Sequence, residues 1–342
     1  MNWSGKWLLS IALLLFLFNF VVSREGVAVM LLDEHTCPQS AWLPNRNGFR
    51  YVHGRRNSLI PRRTHIGGFE FPYIYSLKLN YGNTLHFKGK PEEDVDYFEI
   101  NLLAGDLTIS SKAIVALHFK IEFNKNQITL NSCNYNDWSN NHPVLPLTFS
   151  RDQPFDIRIH VKPEGYVLVG NGRKLYTFEH RFPIDIVSYV QVRFAALTLI
   201  QTGGQDFRIP YNANFPNEKF RFRDRMVISA VSDGGEFKIN FLNQLNDIIM
   251  QFYFQYDKKT IVCNSYIRKR GGRPQTGKGF PLEAGVEFDI EFLNRLEGMV
   301  VTINGVQYGI FGHHTDYPEK EYLSMQVIGN VQISALQICP GD

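Results

Sequence analysis

The 342-residue sequence predicts an all-β fold made of two tandem β-sandwiches, and three observations lead to it. The first is a repeat. Phe119 and Phe252, Asn131 and Asn264, Phe155 and Phe288, Glu164 and Glu297, Asn171 and Asn304, and His180 and His313 are each 133 positions apart. A constant period of that length encodes one domain twice, each copy large enough to bury its own core. The second is the near absence of helical periodicity. His118 to Phe123 reads His-Phe-Lys-Ile-Glu-Phe, which puts Phe119, Ile121 and Phe123 on one strand face and His118, Lys120 and Glu122 on the other. Gln251 to Tyr256 repeats the phase. The third is turn chemistry: Asn171-Gly172 and Asn304-Gly305 separate strand-like runs as two-residue hairpin turns do. Many short strands with such punctuation make one sandwich per unit.

The chain is expected to divide into a signal peptide (1–23), a basic extension (24–66) and two sandwich domains (67–202 and 207–342). Lys6 precedes an apolar run from Trp7 to Val22, shorter than the roughly 20 residues of a membrane span, with Val21 and Ser23 suiting a signal peptidase. Secretion to the extracellular space is therefore expected, with no span left after cleavage. The extension carries seven Arg against Glu25, Asp33 and Glu34, so the +3 net charge of the chain is concentrated there. Such an arm is either solvated or a site for an acidic, heparin-like partner. The joint from Gln201 to Asp206 is short, which predicts a restricted mutual orientation of the domains.

Cys37, Cys133, Cys263 and Cys339 form no C-x-x-C pair, and export permits disulfides, whose three connectivities stay open. Asn131-Ser132-Cys133 is a poor glycosylation acceptor. No Gly-rich phosphate loop, His-Glu-x-x-His helix or nucleophile elbow occurs, so no cofactor, metal or nucleic-acid partner is expected. His313-His314 invites a metal, but His313 falls on the repeat partner of His180, in a turn.

A sugar-binding face needs polar groups aimed at hydroxyls and an aromatic plane against the C–H side of a ring. The first unit offers His118, Lys120 and Glu122, then Asn131 and Trp138. The string Leu117-His118-Phe119-x-x-x-Phe123, Ile128-x-Leu130-Asn131-Ser132 and Trp138 resembles the galectin signature. So do Phe98-x-Ile100-Asn101-Leu102, Pro154-Phe155-Asp156-Ile157 and Phe178-x-His180-Arg181-x-Pro183. The second unit repeats the framework in Phe237-x-Ile239-Asn240-Phe241 and Ile261-Val262-Cys263-Asn264-Ser265, so the resemblance covers about 270 residues. It implies two galectin-like sandwiches of jelly-roll, concanavalin-like type that bind glycans or glycoproteins on a concave face, without catalysis.

Galectins that grip β-galactosides read His-x-Asn-x-Arg, then Asn, then Trp-Gly-x-Glu-x-Arg. Here His118, Asn131 and Trp138 match, whereas Lys120, Glu122, Asn141 and Pro143 depart. In the second unit Gln251, Tyr253, Gln255 and Gly271 replace His, Asn, Arg and Trp, and only Asn264 matches. Putting an acceptor where a guanidinium belongs is expected to remove roughly 100-fold in affinity, at about 1.4 kcal/mol per decade. Altered or weakened β-galactoside binding, residing mainly in the first unit, is therefore expected.

Bland alternatives stand beside each assignment. Trp138 either stacks on a sugar or caps the sandwich edge, and His118 either contacts ligand or makes a structural hydrogen bond. Lys120 and Glu122 form either a rearranged polar pair or a solvated strand face. Tyr253 is a candidate substitute platform, and the loop from Arg268 to Arg273 either contacts anionic glycans or is open to proteolysis. Two other functions compete: a galectin-fold protein-interaction module without sugar binding, and a jelly-roll glycosidase using Glu287, Asp289 and Glu291. The latter needs carboxyls about 5–5.5 Å apart, which i,i+4 residues on a strand overshoot, and galectin geometry puts this strand away from the groove.

Overall fold

The computed structural model describes residues 73–215, 218–339 and 341, together with the backbone of four short strands ahead of them. The chain divides into residues 1–38 and 39–342. In the first part, β1 (Phe20–Val22) and β2 (Ala28–Met30) pair antiparallel. The remaining residues of the expected signal peptide and basic arm, Cys37 among them, lie outside the described residues, as do all side chains before residue 74. In the second part, β3 (His65–Ile66) and β4 (Phe69–Glu70) pair ahead of the sandwiches.

The first sandwich runs through β5 (Tyr73–Ser76), β6 (Thr84–Pro91), β7 (Tyr97–Ala104), β8 (Ile114–Glu122), β9 (Gln127–Asn134), β10 (Asp137–Trp138) and β11 (Val144–Pro146). It continues through β12 (Phe155–Lys162), β13 (Gly165–Gly170), β14 (Arg173–Phe178), β15 (Tyr189–Arg193) and β16 (Ala195–Gly203). The second comprises β17 (Tyr211–Asn214), β18 (Arg225–Val231), β19 (Phe237–Leu242), β20 (Ile248–Gln255), β21 (Thr260–Ile267), β22 (Arg270–Gly271) and β23 (Gln275–Thr276). Its last strands are β24 (Phe288–Arg295), β25 (Gly298–Ile303), β26 (Val306–Phe311), β27 (Ser324–Gly329) and β28 (Gln332–Cys339). Strand order is the same in both. A seven-stranded sheet, β10-β9-β8-β7-β15-β5 with β11 on β9, recurs as β22-β21-β20-β19-β27-β17 with β23 on β21. A five-stranded sheet, β14-β13-β12-β6-β16, recurs as β26-β25-β24-β18-β28.

Alternation explains the sandwich. Phe119 and Ile121 turn inward from β8, as Phe252 and Phe254 do from β20, and all four are fully buried. Each sandwich has its own core; Phe98 stacks on Phe155 at 4.7 Å in one and Phe237 on Phe254 at 4.3 Å in the other. The two Asn-Gly turns have positive φ at both residues (50° and 79°, 51° and 78°), as the expected hairpins require. Asn171 and Asn304 also accept the backbone N–H of Asp156 and Asp289, closing each hairpin onto the next strand. His180 and His313 make one and the same contact, to the carbonyls of Lys162 and Arg295, at 2.7 Å each. Cys339 is disulfide-bonded, while Cys133 and Cys263 are buried free thiols. Among the described residues no helix is long and apolar enough to cross a membrane.

The five-stranded sheets of the two domains face each other, so four sheets are stacked. Cross-strand pairing of β6 with β12 sets Arg158 beside His86, Asp156 beside Lys88 and His160 beside Thr84. From the second domain come Glu287, just ahead of β24, and Asp289 on it. Arg158 donates to Asp289 Oδ2 at 2.9 Å, to Glu287 Oε2 at 3.4 Å and to Asp156 of its own strand at 3.1 Å. His160 Nε2 meets Glu287 Oε1 at 2.6 Å, and Ser229 Oγ donates to Asp289 at 2.7 Å. Gln337 donates to Gln201 at 2.8 Å, and the Glu287 N–H donates to the Gly172 carbonyl at 2.7 Å. A Cβ on Gly172 would stand 2.9 Å from the Glu287 carbonyl, so this turn needs glycine twice over: for its φ and for the approach of the other domain.

Burial opposes charge on Arg158 and Asp289, yet each supplies the other's counter-charge. Arg158 is held protonated by Asp289, Asp156 and Glu287. The Arg158 and Lys88 charges hold the Asp289 pKa at about 2. Arg158→Ala is expected to cost about 3 kcal/mol, because it strands carboxylates that keep His86, His160, Lys88 and Ser229 but lose their one permanent buried cation. Arg173→Ala, which removes an exposed pair with Glu283, should cost under about 1 kcal/mol. Urea unfolding of both variants checks this, and equal losses would contradict the account.

Candidate functional site

The outer face of the first seven-stranded sheet holds a cleft of ≈ 320 Å³ lined by His118, Lys120, Glu122, Lys125, Gln127, Thr129, Asn131, Trp138 and His142. Strand pairing puts them together: His118 lies opposite Asn131, Lys120 opposite Thr129 and Glu122 opposite Gln127. The edge hairpin β9-β10 brings Trp138 across from Cys133. Trp138 is 36 % exposed, and its ring meets His118 edge-on at 5.0 Å, which leaves an indole face at the cleft rim.

The hydrogen bonds fix what His118 can offer. Asn101 donates its amide to Glu99 at 3.2 Å and Gln191 at 3.1 Å, so its Oδ1 is the acceptor for His118 Nδ1 at 2.6 Å. Burial lowers the His118 pKa, and the neutral ring therefore carries its proton on Nδ1 and presents an Nε2 lone pair. Asn131 Oδ1 accepts from the Ser132 N–H at 2.8 Å, which leaves its amide as a donor. One acceptor, one donor and one aromatic plane thus converge, the minimum a sugar ring requires.

Glu122 is the hub of the rest. It accepts from Thr129 at 2.7 Å, Gln127 at 2.9 Å and Lys125 at 2.9 Å, with Lys120 at 3.4 Å. Burial works against its ionisation, but the bonds from Thr129, Gln127 and Lys125 and the Lys120 charge outweigh this and hold its pKa at about 2. Lys120 also sits 3.9 Å over the Tyr97 ring. The carboxylate is therefore matched by its own neighbours. The expected penalty of a bare acceptor facing ligand is corrected: Glu122 orients two ammonium groups at the cleft. Asn141 does not line it; it is exposed, and its carbonyl accepts from Arg181.

The second domain builds the same face from amides. Gln251 pairs with Asn264 in register, donates to Asn240 Oδ1 at 2.9 Å and so keeps Oε1 as an acceptor, the part that Nε2 plays in His118. Asn264 Oδ1 accepts from Ser265 N–H at 2.9 Å, again sparing the amide. Tyr253 bonds Glu236 and carries Lys238 Nζ 4.5 Å over its ring, so one face of the expected platform is already taken. Gln255 is 7 % exposed.

Two stretches of the chain, residues 70–201 and 210–338, match the galactoside-binding lectin family. The chain belongs to the galectin family. It is 26 % identical over 278 residues to the 32 kDa beta-galactoside-binding lectin of Caenorhabditis elegans, covering 79 % of this chain and 97 % of that protein. To galectin-4 of Sus scrofa it is 25 % identical over 303 residues, covering 76 % and 92 %. Among solved structures, Caenorhabditis elegans galectin LEC-6 aligns at 18 % identity and a TM-score of 0.36, over 40 % of this chain and 94 % of that one.

Galectins are not enzymes, and the carboxylate trio fits that. Glu287 and Asp289 are tied to Arg158 and His160 between the domains, and Glu291 lies 3.3 Å from Arg225, so the glycosidase alternative is overturned. The basic segment is also more regular than a loop: Arg268 and Lys269, at φ 50° and 65°, form the turn of the β21-β22 hairpin. Sequence reasoning missed Lys125, Gln127, Thr129 and His142 as lining residues. The signal for Gln127 and Thr129 was the hairpin itself, since Asn124 to Asn126 close β8 onto β9 and set both beside Glu122.

A prediction follows from the depressed Glu122 pKa. Its contribution is present above the ordinary value of about 4.5 and is lost as pH falls toward about 2. Glu122→Gln should therefore be less stable at neutral pH and show a flatter acid dependence across that window, followed by circular dichroism. Parallel curves for variant and wild type would contradict the assignment.

Proposed function

We propose that this galectin is a secreted lectin whose first domain holds glycan against Trp138, His118 and Asn131, with plain β-galactoside binding weakened relative to galectins that keep the full motif. The observation that carries this is the Glu122 cluster. The position where those galectins place a guanidinium donor is filled by a carboxylate whose lone pairs are spent on Thr129, Gln127 and Lys125. The donors left there are ammonium groups, and a point charge grips a hydroxyl pair less specifically than a planar fork does. Galactose-type ligands are supported by the named activity of the Caenorhabditis elegans relative. The cations at the cleft, with those of the arm and of Arg268 to Arg273, favour glycans bearing acidic groups.

Secretion rests on Lys6, the short apolar run and Ser23. N-terminal sequencing of protein recovered from medium should start near Arg24; recovery only in carbonate-resistant membranes would refute it.

Titration calorimetry with lactose tests the altered site. The wild-type chain should bind with a Kd of about 1 mM or weaker, and Glu122→Arg alone should not restore affinity. The new guanidinium would stand among Lys120 and Lys125, which now lie 3.4 Å and 2.9 Å from the Glu122 carboxylate, with no carboxylate to orient it. Tight lactose binding by the unmodified chain, or full recovery from this one substitution, would sink the proposal.

A further inference from the structure

One cross-strand pair at the sheet edge differs between the domains in an informative way. In the first domain it is Cys133 opposite Trp138; in the second it is Tyr266 opposite Gly271. Both residues of the second pair stand 133 positions after their counterparts. The small residue and the aromatic have changed strands. Loss of tryptophan at Gly271 is thus accompanied by gain of tyrosine directly across the ladder.

The geometry around Gly271 shows where that ring lies. A Cβ at Gly271, the place from which an indole would grow, would be 3.7 Å from Tyr266 Cε1 and 4.0 Å from the Asn264 amide nitrogen. The tyrosine ring therefore flanks the space that the tryptophan side chain occupies in the first domain. Its neighbour there is the Asn264 donor. Tyr266 is 43 % exposed, and it shares a strand face with Asn264, two residues back. Among the described residues its ring and hydroxyl make no aromatic, cation–π or side-chain hydrogen-bond contact. Tyr253, by contrast, is engaged by Lys238 and Glu236. Gln251 supplies the acceptor, held by Asn240, Gln326 and Asn212 in a chain of amide bonds of 2.9 Å each.

We propose that Tyr266 is the stacking platform of the second domain's sugar face, packing against a pyranose ring laid over Gly271 between the Asn264 donor and the Gln251 acceptor. The glycine is then functional: its missing side chain is the floor on which the ring rests. The site differs from that of the first domain in platform, in the rotatable amide that replaces imidazole, and in lacking a Glu122-type hub, so its preferred glycan differs as well. This inference rests on the lectin reading above. Its competitor is structural, since an aromatic over an edge glycine also braces a hairpin.

The test uses the full secreted chain on an array of defined glycans, in a Trp138→Ala background that disables the first site. That variant should retain a subset of the wild-type glycans. Adding Tyr266→Leu, which keeps apolar cover over Gly271, should leave Tm unchanged and weaken the retained glycans about tenfold, the upper end of an aromatic contact. Adding Tyr266→Phe should preserve both. Retained binding that is indifferent to Tyr266→Leu would overturn the platform, as would a loss matched by a fall in Tm that Tyr266→Phe also shows. If wild type binds glycans and Trp138→Ala binds none, the second site falls while the lectin reading stands. If wild type binds none, both fall.

Discussion

Arg158 is the residue on which the arrangement of the two domains turns. A guanidinium buried on the outer face of a sheet is untenable by itself, and this one is surrounded by Asp156 from its own strand and Glu287 and Asp289 from the other domain. Neither domain can expose that face without stranding a charge, the cation on one side and the carboxylates on the other. The pairing also has direction. Hydrogen bonds of 2.6–2.9 Å at His160 and Arg158, with Gly172 fitted under Glu287, admit one register of sheet on sheet. Apolar faces would slide more freely, because hydrophobic contact is non-directional.

The two candidate sites show how one scaffold tolerates different chemistry. The framework bond is the same in both, from the Asn101 or Asn240 carbonyl oxygen to the group on the next strand. What hangs from it changes, imidazole in one domain and amide in the other, while an acceptor without a side-chain partner persists. At the edge, the aromatic ring is kept but its strand is not. The two edges correspond by position in space, which alignment by sequence position alone conceals.

That contrast explains how much could be read in advance. The repeat, the strand phase at Phe119 and Phe252 and the Asn-Gly turns were legible, because each is fixed by local backbone chemistry or by burial of one strand face. The candidate site was legible as a set of residue types and less so as a network. Glu122 looked like a bare acceptor because its partners come from across a hairpin, and Asn141 was placed in the site by motif although its side chain lies outside. The fate of Glu287 and Asp289 was not legible. Their partner Arg158 lies 129 and 131 residues away, in a pairing of domains that no local pattern encodes. Tyr266 escaped because its repeat partner is a buried cysteine, so the repeat gave no reason to read it as a site residue.

The stacking of four sheets has a consequence for what the molecule can reach. With the five-stranded sheets turned toward each other, the two seven-stranded sheets look outward in opposite directions, roughly 30 Å apart at about 10 Å per layer. A molecule lying on one glycan-coated surface has a single face to give it. The other face is turned away from it, toward whatever lies on the opposite side. Two engaged faces therefore join what lies above to what lies below at a set distance, whereas a flexible tether would let both settle on the same surface.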